Sequence, residues 1–126
     1  MTVNQAIMRA DKLKPNMYSV QDKIEWLNQL DALLYQDVIL QHEHDPELPE
    51  TFEQYDPDES LDAQLIAPHP YDMIYIYWLQ SQIDLNNAEF AKYNTSSALY
   101  NQAYSEFAGY YNRTHRPLSH IRAIVI

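Results

Sequence analysis

The chain has 126 residues, 46% of them hydrophobic, with one glycine, no cysteine and a formal net charge of −10. That length fits a single domain with a sizeable core. The lack of cysteine excludes a disulfide scaffold, a thiolate zinc site, an iron–sulfur cluster and a cysteine nucleophile, and scarce glycine disfavours turn-dense β folds and glycine-rich phosphate loops.

Charge is unevenly spread. Fifteen of the 18 acids lie between Ile24 and Ala91, a stretch without a single Lys or Arg, whereas Arg113, Arg116 and Arg122 follow the last acid, Glu106. An acidic body repels nucleic-acid phosphates, which disfavours a DNA or RNA reader. MTVNQAIMRADK reads as an amphipathic helix rather than a secretory signal, and no apolar run approaches the roughly 20 residues that span a bilayer, so a soluble protein is expected.

Thr2 and Gln5 form a Thr-x-x-Gln capping box that opens a first helix, with Val3, Ile7 and Ala10 on one face and Leu13 near its end. Pro15 stops it. Ser19 caps a second helix from Val20 to about Gln41, with Asp22 and Glu25 near its positive N-terminal end. Its main stripe is Ile24, Leu27, Leu30, Leu34 and Val38; a second stripe of Trp26, Leu33 and Leu40 lies roughly opposite. Asp31 falls inside the main stripe, where an unpaired carboxylate is costly, and a bond to a tyrosine hydroxyl or a helix end is expected for it rather than a catalytic role.

His42 to Ser60, HEHDPELPETFEQYDPDES, contains three prolines and no sustained period, which predicts an irregular exposed connector with Phe52 and Tyr55 pinning it to the body. Leu61 to Ala67 can add a short extended piece before Pro68 and Pro70. The run from Pro68 to Tyr111 then reads as a helical hairpin. Around its first helix Ile74, Tyr77, Trp78, Ser81, Leu85 and Ala88 fall on one side, with Ile76, Leu79 and Ile83 opposite. A helix apolar on two sides needs two partners. The second helix is one-sided, with Leu99, Ala103, Phe107 and Tyr110 in a stripe bordered by Tyr100, Tyr104 and Tyr111. Asn86-Asn87 is the preferred break, Asn94-Thr95 the alternative. After Pro117 the segment IRAIVI is β-branched and apolar, built to pair as a strand on its own body or on a neighbour.

The expected fold class is therefore all-α: a small helical bundle over residues 1–111 with a long C-terminal helical hairpin, an irregular acidic loop at 43–60, and an extended C-terminal tail at 112–126. Chemistry is harder to find. His42, His44 and Asp45 have the composition of metal ligands but sit at a frayed helix end, and Asp56, Asp58, Ser60 and Asp62 imitate an EF-hand loop whose glycine position is Leu61 and whose closing glutamate position is Ala67. No metal site and no cofactor is expected. With neither a GxSxG nucleophile elbow nor a convincing Ser-His-Asp set, no catalytic residue is assigned and an enzyme is not expected. The acceptor patterns Asn94-Thr95-Ser96 and Asn112-Arg113-Thr114 carry little weight without a signal peptide.

LIAPHPYDMIYIYWLQSQID, NNAEFAKYN and ALYNQAYSEFAGYYNRTHRP, with KLKPNMYS and KIEWLNQLD earlier, resemble a group of small proteins from tailed-phage and prophage head-morphogenesis clusters. Their layout is similar to that of the head–tail connector, or adaptor, proteins. The resemblance implies a structural virion protein that forms a ring, commonly of twelve copies, below the portal and extends the DNA channel without reading sequence, with a stopper or tail protein downstream. A head-completion (stopper) or tail-completion role in the same neck is the alternative, and a metal-dependent accessory enzyme using His42, His44, Asp45, Asp56 and Asp58 a more distant one. Carried onto this chain, the portal- and tail-binding residues would be Arg116, His120, Ile121, Arg122, Ala123, Ile124, Val125 and Ile126. The two-sided helices would supply subunit contacts through Trp26, Leu33, Ile76, Leu79 and Ile83.

Overall fold

A computed structural model describes residues 1–118. Over these residues the fold is all-helical, as expected: α1 (Val3–Leu13), α2 (Val20–Leu34), a π-helical turn (Tyr35–Ile39), α3 (Met73–Asn86) and α4 (Phe90–Thr114). The expected capping box of Thr2 with Gln5 is present, and the expected Ser19 cap forms a second box with Asp22, so the first orphan amides of α1 and α2 are satisfied by side chains. α2 ends earlier than its periodicity implies. At Tyr35 the spiral widens by one residue per turn, and Leu40 donates to the Tyr35 carbonyl at 2.9 Å.

α3 is the centre of the molecule, packed on α1 and α2 and, most extensively, on α4. Both of its apolar sides are filled by the chain itself, with Ile74, Tyr75, Ile76, Leu79 and Ile83 all fully buried. This corrects the reading of Ile76, Leu79 and Ile83 as subunit contacts. The stripe that demanded a second partner finds it within the chain, because the hairpin folds back and α1 and α2 close over the other side. Of the other interface candidates, Leu33 stays 42% exposed. Trp26 is half-buried, edge-on to Tyr18 at 5.5 Å, and its carbonyl accepts the Trp78 indole N–H at 2.7 Å.

The hairpin breaks at the first-choice position. Ala88 adopts φ 56°, Glu89 N–H donates to the Asp84 carbonyl and Ala88 N–H to the Leu85 carbonyl, at 2.9 and 3.0 Å. These paired bonds form a Schellman cap with alanine where glycine is usual. Asn94-Thr95 lies inside α4. At 25 residues α4 is much longer than α3, so its last turns overhang by about 16 Å at 1.5 Å per residue. There Phe107, Tyr110 and Tyr111 gather Tyr71, with Tyr71 stacked on Tyr110 at 4.5 Å, and His42, edge-on to Tyr111 at 4.8 Å.

The extended piece before the hairpin pairs with the N-terminus, Val3 N–H donating to the Ala63 carbonyl and Leu65 N–H to the Met1 carbonyl, both at 3.0 Å. The tail starts later than position 112, since α4 runs to Thr114. Its first residues then dock on their own body: His42 bridges Pro117 in antiparallel register, with Glu43 N–H donating to the Arg116 carbonyl and Leu118 N–H to the Gln41 carbonyl, each at 2.8 Å.

Two stability tests follow from this packing. Ile76→Ala and Phe107→Ala should lower unfolding free energy in urea by about 2–5 and 3–5 kcal/mol, as interior losses do. Ala88→Gly should raise it by about 1 kcal/mol, by relieving the left-handed backbone at the hairpin bend.

Candidate functional site

Three buried polar clusters and one exposed apolar end are the features with functional potential. The first cluster surrounds Asp31, which α2 carries into the core at 0% exposure. Tyr75 Oη donates to Asp31 Oδ1 at 2.7 Å, Ile66 N–H donates to Oδ2 at 3.1 Å, and Tyr55 Oη also donates to Oδ2. The expectation of a tyrosine partner is met twice over. Burial raises the Asp31 pKa, against the pull of the three donors, and it also drives the Tyr55 and Tyr75 phenols upward, reinforced by the Asp31 charge. With its oxygens engaged by groups that hold the connector, Asp31 acts as a clasp between α2, α3 and the loop.

Asp84, also fully buried, forms the second. The Lys14 ammonium pairs with Oδ1, and Ser96 Oγ donates to Oδ2 at 2.9 Å. This joins the end of α1 to both arms of the hairpin. Beside it opens a cleft of about 510 Å³ lined by Lys14, Gln80, Asp84, Lys92, Ser96 and Leu99, among others. A bond from Lys92 to Glu89 raises the lysine pKa. Each cation on this cleft already has its carboxylate, so the wall is close to neutral.

His42 is the third. It is buried, with Nδ1 on the Val38 carbonyl and Nε2 on the Asn112 side-chain amide. It is thereby turned away from a metal role and fastens the π-helical turn to the end of α4. His44 Nδ1 turns to the His42 carbonyl at 2.6 Å, and no group of three or more His, Asp or Glu side chains among the described residues is placed to hold a metal. The Asp56 carboxylate serves the loop backbone, Asp58 N–H donating to its Oδ1 at 2.7 Å.

The exposed feature lies where two turns meet. Tyr18 Oη donates to Asn87 Oδ1 at 2.7 Å, and Lys14 reaches Asp84, so the α1–α2 turn abuts the α3–α4 turn. Around this junction Leu13, Met17, Val20, Leu85 and Phe90 remain exposed, Met17 completely. Sequence reasoning missed this end because its residues belong to five different elements, the four helices and the α1–α2 turn. The proposed portal-binding residue Arg116 is exposed, its guanidinium 3.9 Å from the Glu43 carboxylate, whereas His120, Ile121, Arg122, Ala123, Ile124, Val125 and Ile126 lie outside the described residues.

Compared with known proteins, the chain matches no family model, no curated protein and no solved structure.

The Asp31 clasp has a testable sign. Because its folded pKa is raised above the unfolded value of about 3.9, the residue favours folding most when protonated, and that contribution is lost as pH rises through the folded value. In urea unfolding, the wild-type chain should gain stability relative to Asp31→Asn as pH is lowered from 7 toward 4.

Proposed function

We propose that this chain is a structural, non-catalytic component of a tailed-phage neck: a head–tail connector that assembles into a ring, of twelve copies in the reading given above, beneath the portal. In this reading the ring extends the DNA channel without sequence-specific contact, meets a stopper or tail protein on its far side, and resides in the virion after synthesis in the host cytoplasm. The portal is engaged by the C-terminal segment, and neighbouring subunits by apolar surface.

The observation that carries the assembly role is the apolar end formed by Leu13, Met17, Val20, Leu85 and Phe90. Large side chains left in water at the meeting point of two turns, on a chain whose core is already closed around α3, are surface that association would cover. The phage setting rests on the resemblance of the Tyr-rich hairpin and the YYNRTH run.

The test is co-purification with the portal. Full-length protein should associate with portal rings and be found in purified virions, while deletion of Ser119 to Ile126 should abolish portal binding and leave the helical circular dichroism unchanged. A full-length chain that stays monomeric beside its candidate partners and is missing from virions would refute the reading.

A further inference from the structure

The outer face of α1 mixes apolar and cationic side chains. Val3, Ala6, Ile7 and Ala10 point into the core, leaving Met8 63% and Leu13 56% exposed. Arg9 and Lys12 are exposed between them, and with Gln5 these side chains line a shallow depression of about 450 Å³. Among the described residues neither Arg9 nor Lys12 makes an ion pair, because the acid on this helix, Asp11, is turned to Lys23 at 2.8 Å. On a chain of net charge −10, a greasy face with two unmatched cations calls for an acidic, partly apolar occupant.

The chain itself supplies such a surface. Glu43, Asp45, Glu47, Glu50, Glu53, Asp56, Asp58 and Glu59 are all exposed on the connector, and Leu48 stands among them at 38% exposure. This loop is held in shape. Tyr35 Oη donates to the Pro49 carbonyl, Phe52 packs on Tyr35 at 6.0 Å, and Tyr55 and Asn28 exchange two bonds at 2.7 and 3.1 Å. Its ordering entropy is already spent in the monomer, so docking it costs little more.

One copy cannot bring the two surfaces together. Arg9 to Leu13 lie in the last turns of α1, which lead to the Ser19 cap, whereas Pro49 is anchored at Tyr35. About 24 Å of helix axis separates Ser19 from Tyr35 at 1.5 Å per residue. Matching surfaces at opposite ends of a rigid body join head to tail between copies, and such a contact closes into a ring when its rotation permits.

We infer that the connector segment Glu47–Glu53 of one copy docks on the Met8–Leu13 face of α1 in the next, with Leu48 against Met8 and Leu13 and the carboxylates on Arg9 and Lys12. The inference rests on the ring reading above and gives that ring its subunit contact. Charge steers the encounter and fixes the register.

Charge reversal of full-length protein, followed by native mass spectrometry and sedimentation, tests it. Arg9→Glu with Lys12→Glu, and separately Glu47→Lys with Glu50→Lys, should each weaken self-association at least tenfold, with melting curves unchanged because all four side chains are exposed. Mixing the two variants should restore assembly, since each then offers the other a complementary pair. Wild-type association should also weaken with added salt. If wild type assembles and either variant alone assembles equally well, or the mixture does not recover, this contact is overturned while the neck reading stands. Loss through the α1 variant alone would likewise overturn it, since that face would then meet a surface of the next copy other than residues 47–53. A wild-type chain that stays monomeric alone and beside the portal, and is missing from virions, would overturn both.

Discussion

Enclosure of α3 is the constraint on which everything else depends. A helix apolar around its circumference, once surrounded, contributes more buried apolar side chains than any other element here but has little to fix its rotation or its height, because non-directional burial rewards many arrangements alike. Polar groups near its two ends supply what the apolar body lacks. Near the N-terminal end Tyr75 reaches Asp31, and near the C-terminal end Asp84 receives Lys14 and Ser96. Mispairing either carboxylate would strand a buried charge, so the apolar rod is held in one register by directional bonds whose alternatives are costly.

The same bonds organise the periphery. Asp31 holds Tyr55 and the Ile66 amide, which position the acidic connector and the extended piece that pairs with the N-terminus. Lys14 draws the α1–α2 turn onto the hairpin bend. The exposed surfaces are therefore consequences of core anchoring: the connector presents its carboxylates from a fixed loop, and the apolar end exists because two turns are drawn together.

Local signals were the legible part of the sequence. Helix caps at Thr2 and Ser19, the break at Asn86-Asn87 and the pinning of the connector by Phe52 and Tyr55 all depend on residues close in the chain or on side-chain type, and the structure has them where the sequence put them. The two-sidedness of α3 was legible too. Its partners were not, since periodicity says that a face is buried without saying against what, and Ile76, Leu79 and Ile83 looked equally suited to a neighbour or to the chain's own helices. Contacts such as Lys14 with Asp84 or His42 with Asn112, each spanning 70 residues, leave no local trace. The apolar end was hidden for the same reason, being assembled from single residues of separate segments. Asp31 stood between these cases: its tyrosine bonding followed from its place in an apolar stripe, but not which tyrosines would provide it.

The widened turn at Tyr35–Ile39 has a geometric corollary. A π turn accommodates one residue more than an α turn, and this one sits immediately before the histidine that clips the far end of the longest helix. Because the widened turn absorbs the extra residue, excising one there would let the spiral tighten to ordinary pitch with everything after it on nearly the same bearing, whereas the same deletion in the regular part of α2 would swing everything after it by about 100°. In the second case His42 would turn away from Asn112 and Tyr111, and the overhanging aromatic turns of α4 would lose their seat. The surplus residue thus works as an angular shim, holding His42 on the bearing at which it meets the end of α4.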